Sequence, residues 1–369
     1  MSGLTENQNG DSLSSGIADM PVCASVEWSE IAGLVTTFLA DVRQTLLSQV
    51  DSFIPRLKPL AEYALDKQGK LLRSTLLALV GNITGKLSEE HIKAAAVIEL
   101  IHLATLIHDD VIDEAELRRG APTLARKWDN RTAILLGDCI LAQAMVLAHD
   151  LKSTDSQMAI LTGARNVCIG ETWQSLEESL EPDDFSEVRQ DEPNKDAISH
   201  YLKVISLKTG ELFAIATQVG AAINGVGADI VQNFFLYGRE IGTAYQIYDD
   251  CVDIFATPSH SNKSIGIDLS FGKQTLPILL LQKKLNVAEQ KQLQTLLKDW
   301  SPLKIKEIHP FMEKYSVLTD CAETIYGYLN RARKRLAGCS ETKYLCGLQK
   351  IPQFLMAKLN ELQKVSKTI

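Results

Sequence analysis

At 369 residues and 45% apolar content, the chain has length for one large or two ordinary domains and enough apolar side chains for a sizeable core. Its 46 acidic residues against 38 basic ones leave a formal charge of −8, which excludes nucleic acid as the main partner. The seven cysteines are scattered and odd in number with no C-x-x-C pair, so neither a disulfide framework nor a zinc site is expected, and a reducing, cytoplasmic location is the simpler reading.

Residues 1 to about 26 are rich in Ser, Gly, Asn and Asp and are expected to be a disordered leader to a helical domain over 27–369. From Trp28 onward apolar residues recur at three- and four-residue intervals over 31–50, 55–80, 89–108, 130–150, 156–179, 197–223, 229–253, 274–284 and 318–336, the period of a helix. Turn chemistry separates these runs at Gly81-Asn82 and Gly85, Gly120-Ala121-Pro122, Asn224-Gly225 with Gly227, and Pro258 through Gly272. No composition shift marks a linker, so the expected fold is all-α, a single bundle of about ten core helices. The most apolar run, Ala94 to Ile107, is shorter than a bilayer requires and carries Glu99 and His102. The acidic segment Glu177 to Asp196, with Pro182 and Pro193, reads as a solvated surface loop.

Two copies of one acidic pattern carry the chemistry: Asp109-Asp110-Val111-Ile112-Asp113 and Asp249-Asp250-Cys251-Val252-Asp253, each at the end of an apolar helical run. Residues four apart share a helix face, so Asp109 projects with Asp113, and Asp249 with Asp253. Carboxylates stacked in this way repel unless a cation sits between them. Mg²⁺ suits the place, because it takes one or two carboxylates and completes its shell with water and substrate phosphates. Two such motifs face to face would clamp a diphosphate.

Cations accompany both motifs. Arg118 and Arg119 precede Gly120, where the first motif's helix should end. Their planar forks suit phosphate oxygens, although arginines at a helix C-terminus also complement its dipole. Upstream, Gly69-Lys70-Leu71-Leu72-Arg73 sets two cations one helical turn apart, and His102 lies in the apolar run leading to Asp109. In Lys208-Thr209-Gly210 a glycine sits inside a helical run, where it costs about 1 kcal/mol relative to alanine and marks a kink or a close backbone approach. Gln246 stands one turn before Asp250, and Lys263 and Lys273 follow the second motif.

In these blocks the chain resembles the trans-isoprenyl (polyprenyl) diphosphate synthases, from about Gln68 to Pro277 with a looser helical tail beyond. Ile101 through Asp113 with Arg118-Arg119-Gly120 matches the family's first aspartate-rich block, Tyr245 through Asp253 the second, and Gly272-Lys273-Gln274-Thr275-Leu276-Pro277 the block after it. The resemblance implies a central active-site cavity, a homodimer, and head-to-tail condensation of isopentenyl diphosphate with an allylic diphosphate. Lys70, Arg73 and His102, helped by Arg119, would bind isopentenyl diphosphate. Asp109, Asp113 and Asp249 would hold three Mg²⁺ on the allylic diphosphate, with Asp110, Asp250 and Asp253 completing the two metal motifs. Arg118, Lys208, Gln246, Lys263 and Lys273 would line the allylic side, and Thr209 with Gly210 would form a kink near the developing cation.

The same resemblance makes residues one turn before Asp109 the floor of the product tunnel. Here these are Thr105 and Ala104, both small, so a long-chain product is expected, with Ile101 and Val97 deeper along a helix that rises about 5.4 Å per turn. Trp173 stands where a smaller aliphatic residue is more typical and would either intrude on the tunnel or pack in a core or dimer contact. Gln68, Ser74 and Asn262 also depart from the family pattern, in place of glycine, proline and glycine, and none removes a charge. A short-chain synthase, a class I terpene cyclase, a His-Asp phosphohydrolase and a non-catalytic subunit are the alternatives. The phosphohydrolase leaves the second motif unexplained, the cyclase has no need of Lys70, Arg73 and His102, and both motifs are intact. An insoluble polyprenyl product would also favour transient membrane contact at release.

Overall fold

The computed structural model of the chain describes residues 26–66, 69–178, 197–257, 265–298 and 300–366. Residues 1–25 of the expected leader, Gln68, Asn262, Lys263 and residues 179–196 of the acidic segment lie outside the described residues. Five helices lead to the first aspartate motif: α1 (Trp28–Gly33), α2 (Thr36–Val50), α3 (Lys58–Asp66), α4 (Leu72–Thr84) and α5 (Glu89–Ile112). A short hairpin of β1 (Leu117–Arg118) and β2 (Ala121–Pro122) precedes α6 (Leu124–Lys127), α7 (Asn130–His149) and α8 (Thr154–Glu178). Next, α9 (Ala197–Ile205) runs through a π turn (Ser206–Gly210) into α10 (Glu211–Ala222), and α11 (Ala228–Phe255) carries the second motif. The tail holds α12 (Ile267–Ser270), α13 (Leu276–Lys284), α14 (Val287–Lys298), α15 (Ile305–Lys314), α16 (Val317–Arg335) and α17 (Lys343–Ser366).

The fold is all-α, as the helical period predicts. Ser88 opens α5 with a capping box to His91, and Glu89 and Glu90 complement the dipole in its first turn. Asp129 caps α7 by accepting from the Thr132 amide at 2.8 Å. Packing then builds the bundle: α5 runs along α7, α10 lies against α4 and α11, and α11 also packs on α16. Leu76, Leu77, Ile98, Leu136, Ile140, Leu212 and Ile241 are wholly buried, each worth about 1.5–3 kcal/mol of transfer free energy. Glycine lets α10 and α11 touch through their backbones, since a Cβ at Gly238 would come within 2.3 Å of the Phe213 carbonyl oxygen.

Four expected boundaries move. The single helix over 55–80 is two, because Leu71 takes a left-handed conformation (φ 48°) after Gly69 and Lys70, which frees the 69–73 segment to face the centre. The first motif's helix stops at Ile112 rather than at Gly120, and Arg118 pairs with Ala121 in a hairpin whose two turn residues, Arg119 and Gly120, have φ of 51° and 74°. Residues 31–50 divide at Leu34-Val35 between α1 and α2. The expected break at Gly81-Asn82 falls at Gly85 instead, because α4 continues through Thr84, and in the tail α15 and α17 each continue through a proline, Pro310 and Pro352.

Helix α7 is long and apolar enough to cross a membrane by length and composition, a property that core helices of soluble proteins share. Only one side of it is buried. Leu135, Met145 and Val146 on α7 and Met158 and Ile169 on α8 are exposed apolar side chains on two helices that pack together.

Candidate active site

Helix α5 presents Glu99, His102, Thr105, Leu106, Asp109 and Asp113, at three- and four-residue spacing, to a cavity of about 570 Å³. The 69–73 segment, α8, α9, the π turn, α10, α11 and the loop before α13 complete its walls. Both aspartate motifs and nearly all the predicted cations therefore open on one space. Lys263 lies outside the described residues.

One end of the cavity is cationic. Lys70, Arg73, Arg118, Arg119 and His102 line it, and the Arg119 guanidinium lies so close to Gly69 that a Cβ there would come 2.4 Å from Nη2. Arg73 is buried over the Phe213 ring, 4.7 Å from its centroid, and its Nε has no hydrogen-bond partner. Burial pulls Arg73 down to about 10 against the counter-charge of Glu99, so it stays charged at neutral pH. Burial and then the charges of Arg73, Arg118 and Arg119 hold His102 well below its ordinary value. His102 is thus a neutral hydrogen-bonding group among cations. Glu99 accepts from the Ser74 amide at 3.1 Å and hydroxyl at 2.8 Å, the place where the resembling family usually has proline. A buried arginine with an unpaired donor beside further cations is suited to an anion.

The other end is acidic. Asp109, Asp113, Glu171, Asp249, Asp250 and Asp268 line it, against Lys208 and Lys273. Lys208 Nζ lies 2.5 Å from Glu171, and Lys273 Nζ lies 2.8 Å from Asp113 and 3.6 Å from Asp268. Burial raises Asp109, with Lys208 opposing and Asp113 adding to the rise. Burial and then Asp109 push Glu171 up to about 7. Burial would lower Lys208, but Asp109 and Glu171 outweigh it and hold the lysine above its ordinary value. The carboxylates thus outnumber their cationic partners in a desolvated place, which a divalent cation relieves. Among the described residues no three His, Cys, Asp or Glu side chains gather closely enough to hold a metal alone. That donor set fits Mg²⁺, which needs few carboxylates when phosphate oxygens complete its shell.

The six motif aspartates fall into two groups. Asp109, Asp113 and Asp249 face the cavity. Asp110, one residue round the helix, is buried on another face and accepts from Arg118 Nε at 2.7 Å. Asp250 lines the cavity, but its two oxygens accept from the Tyr201 hydroxyl and from Gln246 Nε2. Asp253 accepts from the backbone amides of Ile267 at 3.2 Å and Asp268 at 3.3 Å, which pins the start of α12; burial and then Asp268 push it up to about 7.

The π turn sets Lys208 and Thr209 on the wall, and Thr209 Oγ1 donates to Gln246 Oε1 at 2.7 Å. Gly210 is the close approach its sequence context suggests: a Cβ would meet Thr243 Oγ1 at 2.9 Å. Of the expected tunnel-floor residues, Thr105 lines the cavity, whereas Ala104, Ile101 and Val97 are buried in core packing and do not line it. Trp173 stands behind the wall, edge-on to the cavity residue His200 with ring centroids 4.9 Å apart. Four further wall residues, Glu99, Glu171, Tyr201 and Asp268, are not among those that the sequence pattern singles out. Glu99 is one helical turn before His102, a detectable signal, but the others are set by contacts between elements.

The family model described as polyprenyl synthetase matches residues 54–314. This chain belongs to the polyprenyl synthetase family. It is a trans-isoprenyl diphosphate synthase, a prenyltransferase. The synthase is 30% identical over 296 residues, 80% of each chain, to heptaprenyl diphosphate synthase component 2 of Bacillus subtilis (strain 168). It is 27% identical to the geranyl-diphosphate-specific all-trans-nonaprenyl-diphosphate synthase of Rhodobacter capsulatus, over 89% of the synthase and 98% of the relative. The crystal structure of a polyprenyl synthase from Caulobacter crescentus CB15, complexed with calcium and isoprenyl diphosphate, superposes with a TM-score of 0.80 at 25% identity, covering 91% of the synthase and 99% of that chain.

Proposed function

We propose that the synthase condenses isopentenyl diphosphate with an allylic diphosphate to build a long trans-polyprenyl diphosphate, using Mg²⁺. One observation carries the reading: a cationic end and a carboxylate-rich end share one cavity. That arrangement suits one diphosphate held by protein cations and another held through metal.

Asp109, Asp113 and Asp249 would hold the metal, three ions in all by family resemblance. When bound, Mg²⁺ neutralises the allylic diphosphate as a leaving group. Lys208, Lys273 and Arg118 add fixed positive charge where negative charge develops as the carbon–oxygen bond breaks. Arg73, Arg119 and Lys70 grip isopentenyl diphosphate, with neutral His102 as an orienting hydrogen-bond partner. Thr209 gives its proton to Gln246 Oε1 and turns the lone pairs of its hydroxyl toward the carbon that becomes cationic. Val204, Leu212 and Phe213 exclude water that would quench the cation to an alcohol. The isopentenyl double bond attacks, and the proton lost afterwards goes to the released diphosphate, so no side-chain base is required.

A long product is supported by the small Thr105 on the cavity wall one turn before Asp109. A homodimer is supported by the exposed apolar side chains of α7 and α8. The relative named as a component of a heptaprenyl synthase supports a second reading, in which the same faces meet a different subunit. A cytoplasmic enzyme touching membrane only at product release is the corresponding location.

Incubation with Mg²⁺, isopentenyl diphosphate and, separately, dimethylallyl, geranyl, farnesyl and geranylgeranyl diphosphates, read by mass spectrometry, tests the proposal. A ladder running past five isoprene units is expected. Cyclised hydrocarbon from an allylic substrate alone would overturn it in favour of a cyclase, and no turnover with any primer would favour a subunit that needs a partner.

A further inference from the structure

Tyr201 has no part in the chemistry above, yet it is buried in the cavity wall with its hydroxyl on a motif aspartate. Buried phenols and carboxylates need partners, and each end of this pair supplies the other's. The contact is the first link of a chain. The Tyr201 hydroxyl on α9 donates to Asp250 Oδ2; Gln246 Nε2, one turn earlier on α11, donates to Asp250 Oδ1 at 2.7 Å; Thr209 Oγ1 in the π turn donates to Gln246 Oε1 at 2.7 Å.

Direction matters along that chain. Tyr201 donates to one oxygen of Asp250 and the amide nitrogen of Gln246 donates to the other, which leaves the amide oxygen of Gln246 for Thr209. Thr209 then spends its proton on Gln246 and keeps its lone pairs for the cavity it lines. Were Gln246 reversed, its NH₂ would face Thr209, the hydroxyl would turn round, and a proton would point toward a developing cation. The polarity at the reacting carbon is thus set by a carboxylate that two protein donors already occupy.

We infer that Tyr201 is a positioning residue for prenyl transfer, fixing through Asp250 the amide of Gln246 and the hydroxyl of Thr209, and that Asp250 serves this chain instead of ligating metal. The inference rests on the proposed function. The three acids of the second motif then have separate roles, with Asp249 meeting metal, Asp250 orienting the π turn and Asp253 pinning α12.

The test compares Tyr201→Phe, Asp250→Asn and Asp249→Asn with the wild type, measuring kcat, KM for both diphosphates, half-saturating Mg²⁺ and thermal midpoint. Tyr201→Phe keeps the ring and removes only the donor. It should lower kcat by about 10-fold or more while KM and half-saturating Mg²⁺ stay within about 2-fold, the pattern of a contribution made at the transition state. Asp250→Asn presents an NH₂ to one of its two donors and should lower kcat in the same way, again without moving Mg²⁺ dependence. Asp249→Asn should raise half-saturating Mg²⁺ by about 10-fold or more. The double variant Tyr201→Phe/Asp250→Asn should be little worse than the slower single variant, because both break one chain.

Wild-type kcat in Tyr201→Phe would overturn the inference, as would an Asp250→Asn variant whose Mg²⁺ dependence shifts like that of Asp249→Asn. If Tyr201→Phe does not fold, the Mg²⁺ response of Asp250→Asn decides alone. A wild type inactive with every primer would instead sink the proposed function.

Discussion

Lys273 and Asp113 stand 160 positions apart in sequence and are joined by a 2.8 Å hydrogen bond between Nζ and Oδ1. The bond ties the loop before α13 to the C-terminus of α5 and brings a cation from beyond the second motif onto the first. Asp268 shares the same lysine at 3.6 Å. Asp113, one of the carboxylates that would hold metal in the proposed reaction, is thus paired here with a protein cation.

Lys273→Ala should lower kcat/KM for the allylic substrate by roughly 10- to 100-fold, since one fixed charge facing the leaving group is lost. It should also lower the thermal midpoint more without Mg²⁺ than with it, because Asp113 and Asp268 lose their cation. Steady-state kinetics and paired melting curves check both, and an unchanged kcat/KM would remove Lys273 from the diphosphate site.

Asp109→Ala and Asp249→Ala should each reduce turnover by about 1,000-fold or more with the fold retained, as expected where metal-held leaving-group stabilisation carries the reaction. Asp110→Ala should act differently. It frees Arg118, so its main effect should fall on KM, and near-wild-type turnover in both of the first two variants would refute the metal assignment.

Without divalent cation the protein should lose stability as pH rises. Burial and then Asp268 push Asp253 up to about 7, and burial and then Asp109 push Glu171 to about 7, whereas both ionise near about 4 in an unfolded chain. Between those values the folded state binds more protons than the unfolded one, so stability falls through the window. The thermal midpoint should decline from about pH 5 to about pH 7.5, and saturating Mg²⁺ should flatten the decline by favouring the ionised carboxylates. A midpoint that rises across that range in metal-free buffer would contradict this.

Thr105→Phe should shorten the product, because residue 105 lines the cavity. Ala104→Phe has a different expected outcome: residue 104 is 1% exposed in core packing, so the larger ring should cost about 1–3 kcal/mol of stability through overpacking. Product ladders and denaturant melts of the pair separate the two effects. A shortened product from Ala104→Phe with unchanged stability would mean that the tunnel runs along that face of α5.

Val146→Glu together with Met158→Glu should turn a dimer into a monomer by size-exclusion chromatography with light scattering. Val146 is 59% and Met158 57% exposed, and two buried charges would not be tolerated at an apolar contact. A wild type that is monomeric alone would point to the heteromeric reading.

The all-helical class is legible in the amino-acid sequence, through apolar residues at the helical period, and so are the two carboxylate motifs, through spacing that sets acids on one face. The order of cations around them is legible too, since Lys70, Arg73, Arg118, Lys208 and Lys273 all reach the cavity. How the acids divide emerges from packing. Asp109 and Asp110 are adjacent in the chain, yet one faces the cavity and the other pairs with Arg118, because a helix turns about 100° per residue and its neighbours assign each face. The break at Gly69 to Leu71, the hairpin at Arg119-Gly120 and the partners Glu171 and Tyr201 are likewise set by packing. Local periodicity reports which residues share a face of one element; which face of which other element they meet depends on contacts between residues far apart in the chain, and no short pattern carries that.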